Sequence, residues 1–195
     1  YSGVRLGVVQ RLLALLERGA TPVVPSLGSA GYLTHCAHIA STLIGEGQVT
    51  LGTATLPAHV ALDRLGLAPL ALTAKEGLSL VNGTACATGL ACLALARAAR
   101  ALDWAHATAA LTLEVLGCQL GAFDEDVLAL RRNEGLREVG EALRRRLAGS
   151  ATLQERQGER TQDALSLRAI PHVHGMVRDV LMRTGRVVEG DPRPR

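Results

Sequence analysis

Between Gly77 and Ala96 the chain carries no Asp, Glu, Lys or Arg, and the same holds from Gly19 to Gly45. A bilayer-spanning helix needs about 20 apolar residues. Both stretches, however, are broken by Gly, Thr, Ser, Asn, Pro or His, which argues against a membrane span. Uncharged sequence dotted with small polar groups suits the interior of a large helical assembly. Past the Asn82-Gly83 turn, Ala85 to Leu102 is apolar on nearly every side of a helix, with Arg97 and Arg100 only near its end. A helix that is hydrophobic all round needs covering, so this one is expected to lie buried in a multi-helix bundle. Hydrophobic residues make up 48% of the chain and aromatics only 2%. Ala and Leu favour helices, whereas strands prefer β-branched and aromatic side chains. The expected fold class is all-α.

At 195 residues the chain can form one domain with a real core. Arg5 to Arg18 places Val9, Leu12, Leu13 and Leu16 at helical spacing, with Gly19 as a C-terminal stop. Pro22 and Pro25 predict an irregular loop, Leu33 to Leu43 a second helix, and Thr53 to Leu65 a third. Helical pattern returns over Ala107 to Leu116 and, in charged amphipathic form, over Leu136 to Leu147. Gly149 to Arg160 reads as an exposed polar loop, and a last helix follows Pro171 from His172 to about Arg183. Residues 1–184 are expected to form one helical module, with 185–195 a disordered tail.

The net charge is +3, and its basic excess lies at Arg131-Arg132 and from Arg137 to Arg146, interspersed with glutamates. That pattern reads as a solvated helix face. With almost no aromatic side chain to stack on bases, a nucleic-acid partner is excluded. Cys36, Cys86, Cys92 and Cys118 show no CxxC spacing and lie in apolar surroundings, which predicts buried free thiols and a cytoplasmic protein. No signal peptide is read. His35 and His38 are spaced to share a metal, but no third ligand follows at sensible spacing, so no metal is expected.

Four segments carry the strongest signal. The first is Val24 to His38, containing Gly28-Ser29-Ala30-Gly31 and running on to Leu43-Ile44-Gly45-Glu46-Gly47. The others are Tyr1-Ser2-Gly3-Val4-Arg5, Ala74 to Thr84 with Asn82-Gly83-Thr84, and Thr161-Gln162-Asp163-Ala164-Leu165-Ser166-Leu167-Arg168 continuing to Gly175. In order and separation these resemble motifs of the aromatic amino acid ammonia-lyases, the histidine and phenylalanine ammonia-lyase family. The likeness reaches about Asp179 but corresponds only to the middle of a family member. It implies a helical fold whose active-site loops fall at 24–38, 74–84 and 161–175. It also implies an oligomer, in that family a tetramer around a central bundle whose sites each draw on three subunits. A chain this short for such a fold should expose a large apolar surface when alone. The expected partners are copies of itself or, more specifically, a second polypeptide supplying the remaining portions.

In the family an Ala-Ser-Gly triad cyclises and loses two waters, giving an electrophilic methylidene-imidazolone. Here the triad reads Ser29-Ala30-Gly31. The middle residue must supply a β-hydroxyl whose elimination creates the exocyclic methylene, and Ala30 has none. The expectation is therefore a lyase-like chain with no prosthetic group and no cofactor.

By resemblance Asn82 is the asparagine near the prosthetic group and substrate, Gln162 a substrate-binding amide, and Arg168 the residue that grips a substrate carboxylate. A planar guanidinium making two charge-assisted hydrogen bonds suits that last role. The competing reading makes Asn82 a turn residue and Gln162 and Arg168 solvent-facing. Departures from the family pattern are Leu165 in place of a tyrosine, Tyr32 in place of an aspartate, and His35-Cys36 in place of Pro-Leu. Three residues are also missing between Pro25 and Gly28. Tyr32 and His35 are new titratable groups beside the old reaction centre and form a candidate acid/base pair. The alternative is that they fill space left by the lost ring. His172 and His174 are read as helix-start hydrogen-bonding residues. The function that follows is an elimination, cyclisation or related acid/base reaction on a small carboxylate- or carbonyl-bearing metabolite. The alternative is a non-catalytic subunit completing a partner's oligomer.

Overall fold

The computed structural model describes residues 3–28 and 33–190. Its elements, in order, are α1 (Leu6–Glu17), β1 (Ala20–Pro22), α2 (Leu33–Leu43), β2 (Gln48–Leu51), β3 (Ala54–Pro57), α3 (Ala58–Arg64), α4 (Glu76–Val81) and α5 (Ala85–Val115). A 3-10 turn at Leu120–Phe123 precedes α6 (Glu125–Ala129), α7 (Glu134–Leu147), α8 (Ala151–Arg156), α9 (Leu165–Arg168) and α10 (Ile170–Glu189). The chain divides into two compact units, 1–89 and 90–195, so the boundary falls within α5.

The first unit packs three helices on a small antiparallel sheet. Strand β2 lies centrally, pairing Val49 with Pro22 of β1 and with Leu56 of β3. The predicted Thr53–Leu65 helix is therefore a hairpin strand followed by the short α3. Gly52, at φ 63°, makes the two-residue turn, and the β-branched Val49, Thr50 and Thr55 suit the flanking strands. Pro22 ends a strand rather than a loop. On an outer strand its missing N–H costs no ladder bond to a further neighbour. The core gathers Val8 and Leu15 of α1, Leu43 of α2, Val49 of β2, and Ala58, Ala61 and Leu62 of α3. Burying a side chain such as Leu43 or Leu62 contributes about 1.5–3 kcal/mol. Helix α1 thus faces inward through Val8 and Leu15, with Leu12 packed alongside. Val9, Leu13 and Leu16, which share the helical spacing with Leu12, point outward.

In the second unit the C-terminal part of α5 buries Leu102, His106, Ala109, Ala110 and Leu113. Of these, Ala109, Ala110 and Leu113 join Val139, Leu143 and Leu147 of α7, together with Phe123, Cys118 and Leu153. Helix α7 crosses α10 at Gly135 and Gly175. A Cβ at Gly175 would sit 2.6 Å from the Leu136 nitrogen and 2.7 Å from its Cα, so only hydrogen fits there. Asn133 caps α7, its side chain accepting from Leu136 N–H at 2.7 Å and donating to Asp179 at 2.6 Å. Asp179 also accepts from Gly135 N–H at 3.0 Å, placing a carboxylate where the helix N-terminus favours one.

Two expectations are corrected here. The polar Gly149–Arg160 segment contains α8, because Ser150 caps it and Leu153 reaches the core. Helix α10 continues to Glu189, past the expected start of a disordered tail, and Gly190 at φ 75° closes it. In α5 no residue from Ala85 to Ala101 is buried within this chain alone, which agrees with the expectation of a large exposed apolar surface. Leu90, Leu93 and Trp104 are exposed. Among the described residues, the stretch Glu76–Val115 is long and apolar enough to cross a membrane by length and composition alone.

Candidate functional site

Asn82 follows α4 directly. Its N–H donates to Leu78 carbonyl at 3.0 Å and its own backbone is extended. The side chain is exposed, and Gly83 at φ 120° turns the chain into α5. What holds this loop is Glu76, only 1% exposed, which accepts from Thr73 N–H at 2.8 Å and Arg5 N–H at 3.2 Å. The Arg5 side chain adds an ion pair at 3.1 Å. The Thr73 bond foremost, assisted by Arg5 and opposed by burial, holds the carboxyl below its usual range. Lys75, beside it, is the one non-glycine described residue with positive φ, at 69°. The Arg5 turn and the lead-in to Asn82, distant in sequence, are therefore one structure. Glu76 was missed as a site-supporting residue. No local signal marks it, because its distant partner Arg5 is brought to it only by the fold.

His35 is half-buried on α2, next to the buried Cys36. Tyr32 and the Ser29-Ala30-Gly31 triad lie outside the described residues. Cys92 is exposed and Cys86 half-buried, so not every free thiol is buried as expected.

In the second unit Gln162 is exposed and Arg168, at the end of α9, is half-buried. Leu165, where the family pattern has a tyrosine, is exposed. The Arg168 Nε donates to the Asp163 carbonyl at 2.9 Å. Asp163 itself is buried, accepting from Gln119 N–H at 2.5 Å and pairing with Arg160 at 3.4 Å. Around it two loops are laced together. Gln119 Nε2 donates to Arg156 carbonyl at 2.8 Å, Gly158 N–H to Gln119 Oε1 at 2.6 Å, and Leu120 N–H to Gln157 Oε1 at 3.0 Å. Gln157 Nε2 donates to Cys118 carbonyl at 3.0 Å, and Arg160 to the carbonyls of Leu116 and Gly117, each at 2.8 Å. Burial, with the Asp163 charge beside it, pushes the Cys118 thiol up.

His174 does not act as a helix-start hydrogen-bonding residue. Its ring packs on His106 of α5, centroids 5.2 Å apart. His106 Nε2 and His174 Nδ1 are buried without a hydrogen-bond partner among the described residues. Burial lowers both pKa values, and for His106 the neighbouring His174 and Arg146 add to it. A groove of about 460 Å³ lies on the same unit, lined by Glu125, Leu128, Arg137, Glu138, Glu141 and Arg144. None of the candidate site residues lines it. No three His, Cys, Asp or Glu side chains gather as metal ligands among the described residues.

A profile of the aromatic amino acid lyase family matches residues 1–191. The chain is 43% identical to histidine ammonia-lyase of Sorangium cellulosum over 192 residues, 96% of this chain and 37% of that enzyme. Its structure superposes on tyrosine aminomutase of Streptomyces globisporus with a TM-score of 0.86 and 34% identity, over 96% of this chain and 40% of that one. For histidine ammonia-lyase of Trypanosoma cruzi the TM-score is 0.83 and the identity 30%, over 97% and 35% of the two chains. The chain belongs to the aromatic amino acid lyase family. It spans little more than a third of the length of these relatives.

Proposed function

We propose that this chain is a methylidene-imidazolone-free module of an ammonia-lyase-type enzyme. It handles a small carboxylate- or carbonyl-bearing metabolite by elimination, cyclisation or a related acid/base step. The observation that carries this reading is Ala30. Forming the ring requires loss of a hydroxyl from the central triad residue, and a methyl group offers none. The residues present do not fit the prosthetic group, and no step runs through it. Arg168 supports the carboxylate half of the reading. Its Nε is already committed to the Asp163 carbonyl, which leaves the terminal guanidinium nitrogens to bind an anion in a fork. Asn82 offers an exposed amide able to stabilise a developing oxyanion. Tyr32 and His35 would supply proton transfer near neutral pH.

A second reading makes the chain a non-catalytic subunit. The exposed apolar length of α5 favours it, since an apolar face this long calls for cover by further protein. Relatives carry further sequence that could cover it, and a second polypeptide is the partner we propose. A cytoplasmic location is part of this reading, supported by four free cysteines.

Because relatives are named histidine ammonia-lyases, L-histidine is the first carboxylate probe. The test isolates the chain from its host with any tightly bound partner, then measures L-histidine affinity before and after Arg168→Ala; ammonia release from L-histidine is not expected. Weakened binding in a normally assembled Arg168→Ala complex supports the catalytic or shared-site reading. Unchanged binding with normal assembly removes Arg168 from the site and leaves the structural reading.

A further inference from the structure

We propose that Asp163 is a positioning residue. By latching the loop before α9 onto the turn after α5, it fixes Arg168 to receive the carboxylate of an α-amino acid. This rests on the reading of Arg168 as a carboxylate-binding residue. The buried Asp163 carboxylate accepts from Gln119 N–H and pairs with Arg160, while its own carbonyl accepts the Arg168 Nε proton. One residue thus ties the guanidinium to a turn more than forty residues away in sequence. Arg160 and the two glutamines spread that tie over four carbonyls and two amide N–H groups. A loop laced this densely cannot shift Arg168 without breaking several hydrogen bonds together. Pre-setting a long, rotamer-rich side chain removes part of the ordering cost of gripping a ligand. Asp163 touches no substrate in this scheme and acts only through Arg168.

The experiment compares the wild-type chain, in the assembly isolated from its host, with Asp163→Ala. Two quantities are read: the affinity ratio for L-histidine over histamine, which lacks the carboxylate, and amide hydrogen exchange of Ala164–Ala169. Wild type is expected to prefer L-histidine. Asp163→Ala should cut that preference about tenfold, the loss of one charge-assisted contact. Histamine affinity should hold within about twofold, because that ligand makes no demand on Arg168. The Ala164–Ala169 amides should exchange about tenfold faster as the latch opens. An unchanged preference with unchanged exchange overturns the proposal. If wild type binds both ligands equally, the carboxylate role of Arg168 fails. The latch then stands or falls on exchange alone, faster in the variant upholding it and equal overturning it. Should Asp163→Ala not fold, Arg160→Ala is measured in its place. It removes the ion pair from a half-exposed position, with the same expected direction and the same overturning result.

Discussion

Gly175→Ala probes the helix crossing on which the second unit is built. The added methyl would meet the Leu136 nitrogen, the Leu136 Cα and the Gly135 carbonyl carbon at 2.6, 2.7 and 2.9 Å. Comfortable carbon contacts lie near 3.5–4.0 Å, so α10 must withdraw from α7 by roughly 1 Å. All three neighbours are backbone, and no rotamer change can relieve them. Overpacking of this kind costs about 1–3 kcal/mol. Replacing a mid-helix glycine with alanine returns about 0.5–1 kcal/mol of helix propensity. The net expected loss is about 0–2.5 kcal/mol, or up to roughly 10 °C in Tm for a chain of this size. Gly185→Ala on the same helix is the control, since a Cβ there meets nothing within 4 Å. It should gain about 0.5–1 kcal/mol from propensity alone. Urea unfolding followed by circular dichroism measures both. Equal stability of the two variants would refute the close-crossing account.

Other consequences are directly measurable. Asn133→Ala removes the α7 cap and one of Asp179's partners, and should lower stability in urea unfolding by about 0.5–2 kcal/mol. The His106–His174 pair, buried at His106 and half-buried at His174, has both pKa values lowered in the folded chain. The unfolded chain therefore binds protons first as pH falls below the ordinary histidine value of 6.5. Stability should drop through that window and level off once the folded groups titrate. A His106→Phe variant should flatten the drop, and an equally steep pH profile in that variant would exclude the pair. The lowered Glu76 carboxyl works at more acid pH. Its stabilisation is present above the ordinary value of 4.5 and lost as pH falls towards the folded value. In Glu76→Gln that acid limb should shrink.

Periodicity located most helices because their apolar spacing is local. The bounds of α2, Leu33–Leu43, were legible in full, and α7 was read to within two residues of its start. The hairpin at Gln48–Pro57 was not legible. Its strands are four residues each and run straight into α3, so alternation never has room to declare itself. Spacing alone did not assign the inward face of α1, because apolar residues occupy both sides of that helix, and contact with β1 and the rest of the core decides which is covered. The apolar circumference of α5 states a need for cover, not its source, and the chain alone leaves that surface exposed as expected. Asn82, Gln162 and Arg168 were proposed as site residues from their motifs. Their supports, Glu76 and Asp163, were quoted within the motifs but not singled out. Each acts through main-chain hydrogen bonds to residues distant in sequence, which no local pattern records.

The tryptic peptide from Gly19 to Arg64 contains the Ser29-Ala30-Gly31 triad, and its mass bears most directly on the nature of the reaction centre. Mass spectrometry of that peptide, cut from the native chain, should return the unmodified sequence mass. A peptide lighter by two waters, with the loss localised to residues 29–31, would show a dehydrated ring and contradict the account.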